Sequence, residues 1–443
     1  MKKCDTNVAA TSSAPRVLLL YREVIPSIII SALQPLQALD SLGKISLACE
    51  NIKSGEARRL LLWCDIVVCT RNSLGDELPF LLKIRQLNIP YIYDCDDNFL
   101  RLQTVNDPSV SYLRWPGSME TVKAYMRYAY AVKVGSAQLA EDCKEYNPRC
   151  VLQKYCFDMQ ILADLPEPVK DDNNLLIGYG GSITHTFDIK IALTAIRQVM
   201  KEFTHISFIC YGISIDGMED LEQRVTCVPY TADYSAFQRD FASRGIDIAI
   251  APLYDTLANR SKTNNKYREY GACGIAGIYS DMPVYRGCIQ DGDNGLLCAN
   301  TPEAWAAALR RLVVDKALRQ HIARRAKEDV IQNYSVRATA NEWLHELLLP
   351  ALEGSSPVAH DERKAVLSRD TRQRSIWLQE QFGSKTEYAL YRLFIYYLHM
   401  KHGLKTLLFC VGLLPLAKRI KAESLNRRMK NMNLRRKGGH EPI

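Results

Sequence analysis

The apolar positions of this chain fall into short runs separated by amphipathic stretches. Residues 16–21 (RVLLLY), Asp65-Ile66-Val67-Val68-Cys69 and Pro90-Tyr91-Ile92-Tyr93-Asp94 are apolar segments of strand length. Between them, residues 76–88 (DELPFLLKIRQLN) place Leu78, Leu81, Leu82 and Ile84 at helical spacing. Apolar strands alternating with helices predict a parallel sheet covered on both faces. Residues 131–136 (AVKVGS), followed by AQLAEDCKEY, repeat the unit. The polar, proline-bearing stretch 164–174 (DLPEPVKDDNN) then reads as a linker.

A second series follows. Leu175 to Tyr179 is strand-like, Gly180-Gly181-Ser182 a turn, and Asp188 to Phe203 a helix. Further strands are expected at 205–211, 225–228, 246–251 and 274–279, with helices at 264–273, 302–314, 316–332 and 336–349. The fold class is therefore α/β, with two Rossmann-like doubly wound domains at 1–165 and 174–350. Residues 351–443 form a helical, basic appendage. Such paired halves hold ligand in the cleft between them.

Composition changes this picture little. At 47% hydrophobic and 24% charged, the chain is neither disordered nor fibrous. Its fourteen cysteines form no C-x-x-C pair, which argues against a zinc site and for a reducing compartment. The run Val17 to Tyr21 reads as a buried strand and not as a signal peptide, so a cytoplasmic protein is expected. The net charge of +8 lies in the tail, because residues 401–443 carry eleven Lys/Arg against two Glu. The basicity is therefore no footprint of nucleic acid, which is excluded as a partner. The uncharged stretch from Thr406 to Ala417 has twelve residues, against the roughly 20 that a spanning helix needs. Segment 371–443 can lie on an anionic membrane surface, or pack as an ordinary helical appendage.

Two segments could carry chemistry. Gly178-Tyr179-Gly180-Gly181-Ser182-Ile183-Thr184-His185 follows the first strand of the second domain, where glycine lets backbone approach an anion. The alternative is a tight turn with no ligand. The stretch from Asn259 to Gly274 (NRSKTNNKYREYGACG) follows a strand ending in Ala251-Pro252-Leu253. There Lys262, Lys266 and Glu269 are expected on one helical face, with the lysines suited to a diphosphate and the carboxylate to a ribose diol. The alternative is an ion-paired solvent face. In the first domain, Asp94, Asp96 and Asp97 end a strand. They read as a D-x-D metal site, as loop caps, or as catalytic contacts from Asp96 or Asp97 to an acceptor hydroxyl.

The ordered pieces DIAIAPL, N-x-x-K-x-x-x-K-x-x-E-Y-x-A-x-G, GIYSD, DGDNGLL and TPEAW resemble the nucleotide-sugar half of GT-B glycosyltransferases, especially glycosyltransferase family 4 (glycosyl transferases group 1). GYGGSITHTFDI resembles that family's opening strand and turn, and IYDCDDNF an element of some members. The likeness is strong over roughly 175–350, weaker over 16–165 and absent beyond 351. It implies transfer of a sugar, with retention, from a nucleotide-diphosphate sugar to a glycan or lipid-linked glycan at the cytosolic membrane face. No metal or other cofactor is implied. Glu269 matches the second glutamate of the family's E-x7-E motif and would hold the ribose, while Gly181 and Ser182 would approach the phosphates. The first glutamate falls at position 261, which is Ser261, so a usual sugar contact is missing. His185 is expected to be structural, as is the 291–295 turn. The other readings are a noncatalytic nucleotide-sugar-binding scaffold subunit and a nucleotide-sugar epimerase on the same fold.

Overall fold

The computed structural model describes residues 14–103, 108–168, 170, 174–181, 186–368 and 371–410. Two six-stranded, all-parallel sheets organise the molecule. The first contains β1 (Arg16–Tyr21), β2 (Ser46–Asn51), β3 (Ile66–Thr70), β4 (Tyr91–Cys95), β5 (Ala131–Val134) and β6 (Cys150–Leu152), in the order β2-β1-β3-β4-β5-β6. The second contains β7 (Leu175–Gly180), β8 (Ile206–Tyr211), β9 (Val225–Val228), β10 (Ile248–Ala251), β11 (Ala276–Ser280) and β12 (Leu296–Cys298), in the order β12-β11-β10-β7-β8-β9. The central strands are mostly apolar because both faces are covered: every residue of β3, β4, β5, β10 and β11 is buried, Asp94 and Lys133 as a pair. The two Rossmann-like halves read from the sequence are thus present. Their strand orders differ, with switch points between β1 and β3 and between β7 and β10.

Local signals set the helix starts. Thr301 accepts the Ala304 N–H ahead of Pro302, so the TPEAW segment opens a helix, Pro302–Val314, where the sequence places one. The expected helix at 371–400 is instead two, Thr371–Glu380 and Lys385–Cys410.

The packing boundaries differ from the expected 350/351 division. Trp343, Leu344, Leu347, Leu348 and Ala351 pack in the core of the first sheet with Val17, Leu19, Ile66 and Val68. Trp343 Nε1 also donates to the Ser31 carbonyl at 2.8 Å. Residues 358–363 stay on that domain, with Arg363 donating to the carbonyls of Leu61 and Cys64. The chain therefore crosses between domains twice, and the crossings meet where the Phe157 N–H donates to the Tyr334 carbonyl at 2.8 Å. Residues up to Leu378 form one compact unit, and 379–443 are grouped as a second. Within the second unit Phe382, Tyr388 and Tyr391 pack ring to ring, with Phe382 and Tyr391 centroids 4.8 Å apart. No helix among the described residues is long and apolar enough to cross a membrane. Residues 411–443, which carry most of the expected basic tail, lie outside the described residues.

Candidate active site

The carboxyl ends of both sheets open on one cleft of about 1000 Å³. Arg22 and Glu23 follow β1, Arg71 follows β3, and Asp96 and Asp97 follow β4 on the first wall. On the second wall Gly180 ends β7 and Gly181 follows it, and Leu253, Lys262, Lys266 and Glu269 follow β10. Both topological switch points therefore face the same space, as the ligand sites of open α/β sheets do.

On the first wall the cations are all compensated. Arg22 forms ion pairs with Asp76 at 3.1 Å and Glu77 at 3.2 Å. Arg71 binds both Asp96 and Asp97, the latter at 3.0 Å, and lies 5.2 Å over the Phe99 ring. It is one of two non-glycine residues with positive φ among the described residues (φ 55°), a backbone state that turns the chain sharply after β3. Burial pushes the Asp96 carboxyl above its usual range while Arg71 pulls it back. Burial also disfavours the Arg71 charge, but the two aspartates outweigh it and hold the guanidinium ionised. Asp94, one residue further back, is inside the sheet. It pairs with Lys133 of β5 at 2.9 Å, with both side chains essentially inaccessible, and accepts from Ser31 Oγ at 2.6 Å. Of the D-x-D pair, Asp94 is therefore held in a buried ion pair, while Asp96 is bound by Arg71. Among the described residues no group of three or more His, Cys, Asp or Glu side chains converges as metal ligands.

The second wall is different. Neither Lys262 nor Lys266 forms an ion pair with a described carboxylate, and both are half-buried. Lys266 Nζ donates to the Gly180 carbonyl and lies 5.2 Å from the Tyr179 ring, which leaves protons for a further acceptor. Burial lowers its pKa, with Glu269 working in the opposite direction. Burial in turn raises the Glu269 carboxyl, and Lys266 and Arg268 pull it back part way. Tyr234 and Gln238, both buried on the helix Tyr234–Ser243, face that carboxyl.

The sequence-based assignments fare unevenly here. Lys262 is not on the helix with its partners. That helix is Asn265–Ala272, and Lys262 precedes it in the loop, although all three residues line the cleft. Gly181 lies at the cleft, but its N–H donates to the Tyr211 carbonyl at 3.2 Å and is already committed. Its carbonyl meets Gly212 (φ 75°) so closely that a Cβ there would lie 2.0 Å from the oxygen, which only glycine tolerates. Ser182 and His185 lie outside the described residues. Ser261 is fully buried and does not line the cleft. The 291–295 turn is structural: Asp293 pairs with His321 and Arg325, and Asn294 donates to the Tyr267 hydroxyl. Arg71 was not singled out, because one arginine in CTRNS has no periodic or motif signature.

Comparison with known proteins agrees with this geometry. Residues 174–315 match the family model for glycosyl transferases group 1. Among solved structures, HepE from Anabaena, in complex with UDP and glucose, is 14% identical and superposes with a TM-score of 0.54 over 75% of this chain and 99% of its own. The fold is GT-B. Sucrose-phosphate synthase from Thermosynechococcus elongatus has a TM-score of 0.56 at 14% identity, over 76% of this chain and 100% of its own. A putative UDP-N-acetylglucosamine 2-epimerase from Listeria monocytogenes has a TM-score of 0.50 at 12% identity, over 78% and 99%. No curated protein matches the sequence. The family match covers the GT-B half that bears Lys262, Lys266 and Glu269, as the motif order implies.

Proposed function

We propose that this GT-B protein is a glycosyltransferase that moves a sugar from a nucleoside-diphosphate sugar to a hydroxyl of a glycan or lipid-linked glycan, with retention of configuration. The observation that carries the reading is a pair of lysines that form no ion pair with a described carboxylate, beside Glu269 on the family-matched wall, across a cleft from Asp96 and Asp97. Glu269 accepts from the ribose hydroxyls, and Lys262 and Lys266 meet the diphosphate. In the reaction the bond from the sugar's anomeric carbon to phosphate breaks and a bond to the acceptor oxygen forms on the same face. The acceptor proton passes to the departing phosphate, so no protein base is required. The protein's task is to stabilise charge growing on that phosphate, in a cleft closed to water. Asp97, the more exposed of the Arg71-bound pair, orients the acceptor hydroxyl, and Asp96 fixes Arg71 beneath it. No step needs a metal or another cofactor.

Acceptor-dependent release of nucleotide tests the reading. A transferase releases nucleotide faster when acceptor is added, whereas a binding scaffold releases none and an epimerase converts donor with no acceptor present. The epimerase reading has some support in the Listeria neighbour.

The ionisations also give a pH profile. Glu269 must be charged to accept twice, so nucleotide affinity should fall as pH drops through its raised pKa, above the ordinary glutamate value of 4.5. Lys266 must be protonated, so affinity should fall again as pH rises through its lowered pKa, below 10.5. Calorimetric titrations across pH should trace a bell, and Glu269→Gln should remove the acid limb alone. An acid limb that survives in that variant belongs to another group.

We further propose that the second unit docks on an anionic membrane from the cytosolic side. On the helix Lys385–Cys410, Leu390, Leu393, Tyr397 and Met400 are each more than half exposed at spacings of three and four, which makes one apolar stripe. The sequence beyond supplies basic residues, each contributing about 1 kcal/mol near an anionic surface. Full-length protein should sediment with phosphatidylglycerol vesicles and not with phosphatidylcholine ones. Leu393→Asp combined with Tyr397→Asp should cut the bound fraction several-fold. Equal sedimentation of the double variant would rule out this stripe as the contact.

A further inference from the structure

Ser261 occupies the place where the resemblance expects a sugar-binding glutamate, yet its side chain does not reach the cleft. It is inaccessible to solvent, and Asn98 Nδ2, from the first domain, donates to its Oγ at 2.9 Å. Ser261 Oγ donates in turn to the Leu257 carbonyl at 3.1 Å. The Ser261 carbonyl accepts from Ser136 Oγ, also of the first domain, at 2.6 Å. Next to this contact Gly135 permits a close approach, since a Cβ there would lie 2.3 Å from Thr263 Cγ2. Asn98 is itself 2% exposed and fully engaged. Its amide also donates to Asp142 at 2.6 Å, and its Oδ1 accepts the Arg101 N–H at 3.2 Å.

The chain positions give this cluster a consequence. Asn98 directly follows Asp97, and Ser261 directly precedes Lys262. A single buried hydrogen bond therefore joins the loop bearing the first-wall carboxylates to the loop bearing the second-wall lysines. We propose that Asn98 and Ser261 form an interdomain latch, a pair of positioning residues that hold Asp97 and Lys262 in register when the cleft is closed. A glutamate at position 261 would wedge this interface apart, so the substitution that removes a sugar contact also makes the latch. The latch rests on the proposed transferase reading for its effect on turnover, but not for its effect on the loops. Opening the domains breaks the bond and exposes a fully bonded asparagine, so the pair favours the closed state in the way a hinge clasp does.

The test uses the full-length protein with Ser261→Ala, Asn98→Asp and the double variant. Asn98→Asp keeps the oxygen that caps Arg101 and loses the amide donor, but it also sets a second carboxylate against Asp142, so Ser261→Ala is the variant that isolates the latch bond. Hydrogen exchange of the ligand-free protein should show amides in both 96–103 and 257–264 exchanging at least tenfold faster in either single variant, with β1, β3, β7 and β10 unchanged. A change confined to the mutated loop would overturn the latch. In turnover, each single variant should lower kcat for transfer by 5- to 50-fold and raise donor hydrolysis relative to transfer at least fivefold. The dissociation constant for the nucleoside diphosphate that binds wild type, chosen among UDP, GDP, dTDP and ADP, should stay within threefold. The double variant should be no worse than the poorer single one. A lower melting midpoint with an unchanged hydrolysis-to-transfer ratio, or additive losses, would mean a merely structural contact. If wild type binds no nucleotide and transfers nothing, the transferase reading fails, while the exchange experiment still decides the latch.

Discussion

Replacing Lys266 by alanine is expected to lower the turnover number for transfer by about 10²- to 10³-fold, the usual loss when one preorganised donor to a developing oxyanion is removed. The ammonium group is poised for this role. It rests against the Gly180 carbonyl at the end of β7 and over the Tyr179 ring, and it forms no ion pair with a described carboxylate. Burial, which lowers its pKa, also lowers the dielectric around it, so its attraction to a phosphate is screened less than that of a surface lysine. Charge on the diphosphate rises as the sugar departs, so the loss should fall mainly on kcat and less on nucleotide affinity. The fold should suffer only modestly: removing this desolvated cation relieves its own burial cost but takes from the buried Glu269 carboxyl a charge that compensates it. Steady-state kinetics with saturating donor, paired with a melting curve, check this. A turnover number within threefold of wild type would move the catalytic cation elsewhere, with Lys262 next in line.

The sheet cores could be read from the sequence because their residues are apolar on both faces, so Val17–Leu20 or Ile248–Ala251 admit no other environment. Of the edge strands only β9 was expected, at 225–228 where it lies. β2 (SLACEN) is only partly covered, and β6 and β12 are three residues long, too short for a pattern. Amphipathicity shows that 336–353 has a buried face but not what buries it, and the answer, the first sheet, lies more than about 180 residues away in sequence. Lys266 and Glu269 were visible because a helix start after a strand concentrates function within a few residues. Arg71 and Asn98 were not, since their meaning comes from partners 25 and 163 residues distant. Ser261 shows the same limit from the other side. In the chain it reads as a missing carboxylate, and in the fold it is a filled interdomain contact.

Glu269→Ala should weaken nucleotide binding by about 10- to 100-fold, the range for losing hydrogen bonds to a charged acceptor. Wild type at about 100 times its dissociation constant should gain roughly 2.7 kcal/mol, enough to raise a melting midpoint by a few degrees. At the same ligand concentration the variant should gain only about 0.4 to 1.4 kcal/mol, so its midpoint should rise by half the wild-type shift or less. The ligand-free midpoints should run the other way. Burial raises the Glu269 pKa in the folded state, so its ionisation opposes folding increasingly as pH rises from the unfolded value towards the folded one, and above that the full cost persists. Removing the carboxyl lifts that cost at neutral pH, and the apo variant should melt no lower than wild type. Opposite signs in the two states separate a ligand-binding carboxylate from a structural one. A structural glutamate held by Tyr234 and Gln238 would lower the apo midpoint on removal and leave the nucleotide shift intact. Such a result would move the ribose contact away from Glu269 while leaving the GT-B fold and the lysine wall in place.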